Sequence, residues 1–213
     1  MRGRLRRRGA SVIDNTFWGL GPNLTGYPGG YPNGFLQHCR NAGYWGDRRL
    51  HLCSGTVTDG VTVDLKPAIV TSEGSGRRVY HPTVRADLSH GVPFRDESFD
   101  AVFIDPPYST EKSEELYGLP LLSVPALLAE AYRVVRGGGV VVILDLRSWG
   151  DLRPKGSEWV ALHPVNVANR GAKPLRACCV FRKPGATRNL DAFVTGGFLV
   201  RAPVRFVKAG GPP

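Results

Sequence analysis

The sequence predicts an α/β fold, a single open and mostly parallel sheet of seven strands with helices over both faces. Three observations predict it. Three successive short apolar runs each close on an acid: 60–63 on Asp64, 83–86 on Asp87 and 99–104 on Asp105. A stripe of apolar residues at helical spacing, Leu127, Leu128, Ala131, Val134 and Val135, leads through Gly137-Gly138-Gly139 into the apolar run 140–144. The order of four strands, one helix and three strands then fits helices packed over one sheet.

Taken in order, 15–46 is rich in Gly, Pro, Asn and aromatic residues, and its first half keeps no period. It reads as a long ordered loop that packs by its aromatics. A short helix is predicted over 35–42, with Asn33 as its N-cap. Strands follow over 49–53, 60–63, 83–86 and 99–104, with 66–76 read as loop. The charged stretch 109–117 is also read as loop. Ser123 caps a helix over 124–135, and the glycine run is its C-terminal stop. Strands over 140–144, 160–165 and 175–181 complete the sheet, and 196–207 is expected to add a β-ribbon or to pack as an extension. The expected organisation is a flexible basic arm (1–10), one domain (11–183) and a basic extension (184–213).

The net charge of +10 is carried by the ends of the chain. Residues 1–10 hold Arg2, Arg4, Arg6, Arg7 and Arg8 and no acid, whereas 182–213 hold six basic residues against Asp191. A near-neutral middle with two basic ends points to contact with a phosphate backbone, and the five N-terminal arginines are the candidate nucleic-acid contacts. No apolar run is long enough for a membrane span, and no secretory signal pattern is present. The four cysteines have no metal-site spacing, and adjacent Cys178 and Cys179 would point to opposite faces of a strand. Reduced thiols in a cytoplasmic protein without a structural metal are expected.

Asp105-Pro106-Pro107-Tyr108 is the most informative stretch. Each proline fixes φ near −65° and removes a backbone donor, so the chain leaves its strand as a stiff arm. In open α/β sheets ligands bind beyond the carboxyl ends of the strands. An acid, a free proline carbonyl and an aromatic face there suit a flat heterocycle bearing an amino group. Asp64, Asp87 and Asp105 would converge on one crevice. An acid after the second strand can bind a ribose diol, and a polar residue after the third can reach an adenine edge. Gly55 lets the backbone approach a ligand closely.

These residues resemble the class I S-adenosylmethionine-dependent methyltransferases, and within them the amino-methyltransferases of DNA. The tetrapeptide after 99–104 is similar to that family's Asp/Asn/Ser-Pro-Pro-Tyr/Phe, and an Asp in first place resembles the adenine-N6 enzymes. The resemblance implies catalytic roles for Asp105, Pro106, Pro107 and Tyr108. It implies cofactor contacts from Tyr31, Pro32 and Phe35 ahead of the first strand, from Leu52, Cys53, Ser54 and Gly55 after it, and from Asp64, Asp87, Leu88 and Asp105. It also implies a seven-stranded Rossmann-like sheet with an antiparallel last strand. Two departures stand out. His51, Cys53 and Val57 replace the acid, Phe and second Gly of the first motif, and only nine residues lead from Gly55 to Asp64, so the first crossover helix is expected to be shortened or lost. The function implied is methylation of an exocyclic nucleobase amino group, adenine N6 in DNA foremost, with S-adenosylmethionine as cofactor and no metal. An RNA methyltransferase (guanine N2 or adenine N6), a small-molecule methyltransferase and a non-catalytic nucleic-acid-binding subunit remain as alternatives. With no insert long enough for a target-recognition domain, a specificity subunit or a homodimer is a further expected partner.

Overall fold

The computed structural model describes residues 13–73, 76–118, 120–168 and 175–185. The arginines of 1–10 and the 196–207 segment lie outside them. The elements are β1 (Trp18–Leu20), α1 (Phe35–Asn41), β2 (Arg49–Leu52), β3 (Val61–Asp64), β4 (Ile69–Glu73), β5 (Gly76–Tyr80), β6 (Val84–Arg85), β7 (Phe99–Ile104), α2 (Thr110–Tyr117), α3 (Val124–Val134), β8 (Val135–Asp145), β9 (Glu158–Val167) and β10 (Arg176–Arg182).

The main sheet has eight strands in the order β1-β9-β10-β8-β7-β2-β3-β6, one more than predicted. The strands from β6 to β8 run parallel, and β10 is antiparallel to both β8 and β9. The added strand is β1, three residues that pair parallel with β9. A three-residue strand has no readable period of its own; its partner lies about 145 residues away.

β7 is buried along its whole length, as befits a central parallel strand. Its side chains alternate between two cores. Val102 and Ile104 face α3, whose Leu127, Leu128, Ala131 and Val134 are buried against that side of the sheet. Ala101 and Phe103 face the opposite core, with Trp18, Phe35, Cys39 and Tyr44. Cys178 and Cys179 fall into different cores, and all four cysteines are buried and free. The N-terminal segment is tied to the far sheet edge through His163. That ring stacks on Trp18 at 4.1 Å and hydrogen-bonds the Tyr44 hydroxyl and the Thr16 carbonyl.

Several local expectations are corrected. No helix links β2 to β3, as anticipated, but the 66–76 stretch is not plain loop: it contains β4, which pairs with β5 as an antiparallel hairpin ahead of β6. The charged 109–117 stretch is mostly helix α2, capped by the Ser109 hydroxyl and ended by left-handed Gly118. Asn33 does not cap α1; it bonds Gly21, and Gly34 at φ +89° opens the helix. The glycine run is not a helix stop. α3 passes directly into β8 at Val135, and the glycines form an irregularity within that strand, where the register against β7 shifts. A Cβ on Gly139 would lie 2.6 Å from the Asp100 carbonyl, so the close approach of the two strands requires glycine there. No helix among the described residues is long and apolar enough to cross a membrane.

Candidate active site

β2, β3, β6 and β7 end at the same edge of the sheet, and their carboxyl ends place the predicted acids around one region. A cavity of about 520 Å³ opens beside β2, β3 and β6. Cys53, Asp64, Leu65, Ala86, Asp87 and Leu88 form its sheet side, and residues of α2, α3 and their connection form the other, among them Tyr117, Leu121, Leu122 and Leu127. Apolar walls with a carboxylate from each of two strands match a nucleoside, which has a flat base and a diol.

Asp64 is buried, and burial raises its pKa against the backbone N–H groups that favour its charge. Gly55 N donates to its Oδ2 at 3.0 Å and Lys66 N to its Oδ1 at 3.1 Å. The bond to Gly55 closes the short turn that replaces the missing crossover helix. The Tyr117 hydroxyl donates to Oδ2 at 3.5 Å, which ties the α2 side of the cavity to this acid. Asp87 caps a single helical turn by accepting from Ser89 N, and Ser89 holds its carboxyl below the usual range.

Gly55 sits at φ +55°, and a Cβ there would lie 2.4 Å from the Gly29 carbonyl. The aromatic N-terminal segment therefore closes directly onto the turn after β2. The buried Ser54 hydroxyl and Tyr31 hydroxyl have no hydrogen-bond partner. Gly55→Ala is expected to cost about 1–3 kcal/mol and to raise the dissociation constant for S-adenosylmethionine at least tenfold. Melting and calorimetry measure the two effects, and an unchanged dissociation constant would place the cofactor away from this turn.

Asp105 does not line that cavity. It lies one strand over, where Asp105 N bonds the Leu52 carbonyl at 3.4 Å. Burial pushes its pKa up to about 7, against the pull of Arg176 and of the Tyr108 hydroxyl, which donates to its Oδ1. Pro106 and Pro107 are buried beside it, and Tyr108 is half-buried. The Arg176 guanidinium covers one face of the Tyr108 ring, 4.8 Å from its centroid. Asp145, at the end of β8, is held by Trp149 Nε1 at 2.8 Å and by Leu146 N.

The Phe35 and Leu52 side chains lie wholly in the core. Pro32 is buried, and Tyr31 stacks on Phe35 at 5.0 Å with its hydroxyl near enough to Asp105 for that acid to raise its pKa further. His51, in the place of the motif's acid, is a buried neutral imidazole. Burial pushes its pKa down to about 4, and it stacks on Phe103 at 4.9 Å. Tyr117, Leu65, Asp145 and Arg176 were not singled out from the sequence. Leu65 directly follows Asp64 and Asp145 directly follows the predicted strand 140–144, so both could have been, whereas Tyr117 and Arg176 are brought in by the fold. Among the described residues no group of three or more His, Cys, Asp or Glu could hold a metal ion.

An α/β sheet in this strand order, with acids after β3, β6 and β7 and a nucleoside-sized cavity beside the first two, is the arrangement expected of a nucleoside-binding domain of the class I methyltransferase type. Residues 48–143 match the family model described as a methyltransferase domain, which supports that class and indicates S-adenosylmethionine as the cofactor. No curated protein matches the chain. Similar solved structures include the following three. A chain from work on conversion of a disulfide bond into a thioacetal group during echinomycin biosynthesis is 12% identical, covers 74% of this chain and 84% of its own length, and gives a TM-score of 0.47. TrmN from Thermus thermophilus is 18% identical, with 70% of this chain and 47% of that one covered and a TM-score of 0.45. A SAM-dependent methyltransferase from Methanosarcina mazei is 12% identical, with 68% and 97% covered and a TM-score of 0.40. All three scores lie below 0.5, and nothing that follows rests on them.

Proposed function

We propose that this protein methylates an exocyclic amino group of a nucleobase in DNA, adenine N6 foremost. The observation that carries the reading is the Asp105 carboxylate. It is buried at the end of a central strand, stands on an arm stiffened by two prolines, and has a pKa of about 7. A proton acceptor poised near neutral pH suits general-base work.

An amino group on an aromatic ring is a poor nucleophile because its lone pair is delocalised into the ring. Asp105 and the Pro106 carbonyl can accept its two N–H bonds and favour a more tetrahedral nitrogen. Asp105 then takes the proton that the nitrogen loses as it is methylated. Bound S-adenosylmethionine supplies an electrophilic methyl group on a sulfonium. Asp64 and Asp87 would hold its nucleoside part, while Ser54 and Tyr31 have free polar atoms for its other end. Catalysis is then positioning and electrostatics. Tyr108 offers its ring to the base, which must leave a duplex stack at a cost of roughly a few kcal/mol. The five arginines of 1–10 support a nucleic-acid substrate, and the Asp in first place of the tetrapeptide supports adenine.

Labelled S-adenosylmethionine incubated with separate DNA and RNA pools tests the reading. Label in DNA, recovered as N6-methyladenine on digestion, is the expected result. Label confined to RNA would move the substrate class, and none in either pool from cofactor-bound protein would end the nucleic-acid reading.

A further inference from the structure

The residue on which the placement of Tyr108 turns lies far along the chain. Arg176 opens β10, the antiparallel strand, so its end of β10 reaches the edge where β7 and β8 finish. Ala177, the next residue, pairs with Asp145. From there the guanidinium lies over the Tyr108 ring, and the Tyr108 hydroxyl donates to Asp105. Arg176, Tyr108 and Asp105 thus form one chain of contacts across two strand ends.

We propose that Arg176 is a positioning residue for methyl transfer, holding the Tyr108 ring from one face and serving as the countercharge to Asp105. The inference rests on the reading of Asp105 as the acceptor for the target amino group. The titratable groups that face Asp105 come from every element around it. Tyr108 follows it on the arm, Asp145 ends β8, Arg176 opens β10, and the Tyr31 hydroxyl and Cys53 thiol lie on the N-terminal segment and the turn after β2. Of these, Arg176 alone is cationic. Removing it leaves Asp105 beside Asp145 in a dry site, where a carboxyl stays protonated and cannot accept a proton.

The stacking role is separate from the charge. A guanidinium is planar and lies flat on an aromatic ring, whereas an ammonium is a point charge on a flexible stem. With one face of Tyr108 taken, a target base stacks on the other face or displaces Arg176. The ring it meets is already fixed in angle, so less order is lost on binding.

Arg176→Gln and Arg176→Lys in the full chain separate the two roles. The first readout needs no substrate: the Asp105 carboxyl titration followed by carbon NMR in the free protein. It is expected to move up by about one pH unit or more in Arg176→Gln and to stay near the wild-type position in Arg176→Lys. The second readout is methyl transfer. KM for the nucleic acid is expected to rise about tenfold in both variants, with the acid limb of kcat moved only in Arg176→Gln and cofactor affinity unchanged. A folded Arg176→Gln variant with wild-type titration and wild-type KM overturns the proposal. If the titration moves but no nucleic acid is methylated by the wild-type protein, the countercharge stands and the substrate reading falls.

Discussion

Asp105→Asn is expected to lower kcat for methyl transfer about 10³-fold or more and to leave S-adenosylmethionine affinity close to wild type. Asn has the shape of Asp and keeps an Oδ1 that can accept the Tyr108 hydroxyl, so the arm should hold its geometry. It loses the negative charge and the ability to take a proton, which are the two properties asked of Asp105. Cofactor binding should survive because Asp105 does not line the cavity beside Asp64 and Asp87. Single-turnover rates and calorimetry on the same preparation measure both quantities. Turnover within tenfold of wild type would remove Asp105 from the chemistry. A parallel loss of cofactor binding would instead make it a cofactor contact.

The parts of the fold that could be read were those where local pattern and burial agree. Phe99–Ile104 is apolar enough to be a strand buried on both sides, and its bounds come out as expected. α3 declares itself through the Ser123 cap and a stripe of apolar residues, and it lies within one residue of the prediction. Elements held by distant partners could not be read. β1 exists through its pairing with β9, and the β4–β5 hairpin mixes exposed Arg77 and Arg78 with little apolar alternation. α2 could have been found: Ser109 and Gly118 are ordinary cap signals, but its charge hid its period. The site divides in the same way. Asp64, Asp87 and Asp105 were visible because strand ends were visible, whereas Arg176 meets Tyr108 only after the antiparallel β10 is laid beside β8. His51 shows the opposite case. It stands where the first motif of the resembling family has an acid, and the fold makes it a neutral core ring.

The same Asp105→Asn variant is expected to leave a second signature, in stability. Asp105 has a folded-state pKa of about 7 against 3.8 for the unperturbed group, so between those values the native state binds a proton that the unfolded chain has released. Stability from this group is therefore fully present below about pH 4 and falls as pH rises to about 7. His51 acts in the opposite sense. Its folded pKa is about 4 against 6.5, so the unfolded chain holds the extra proton and stability rises with pH over that window. In the wild-type protein the two slopes largely cancel between about pH 4 and 6.5. Asn at 105 removes one of them. The stability of the variant minus that of wild type should climb about 1.4 kcal/mol per pH unit from pH 4 to 7 and then level off. The difference therefore rises by on the order of 4 kcal/mol across this window. Subtraction removes His51 and the other shared groups that do not interact with Asp105. Denaturant unfolding at half-unit steps of pH measures the difference directly. A flat difference would mean that Asp105 is ionised in the folded protein throughout this range, and the neutral-pH acceptor would then have to be another group.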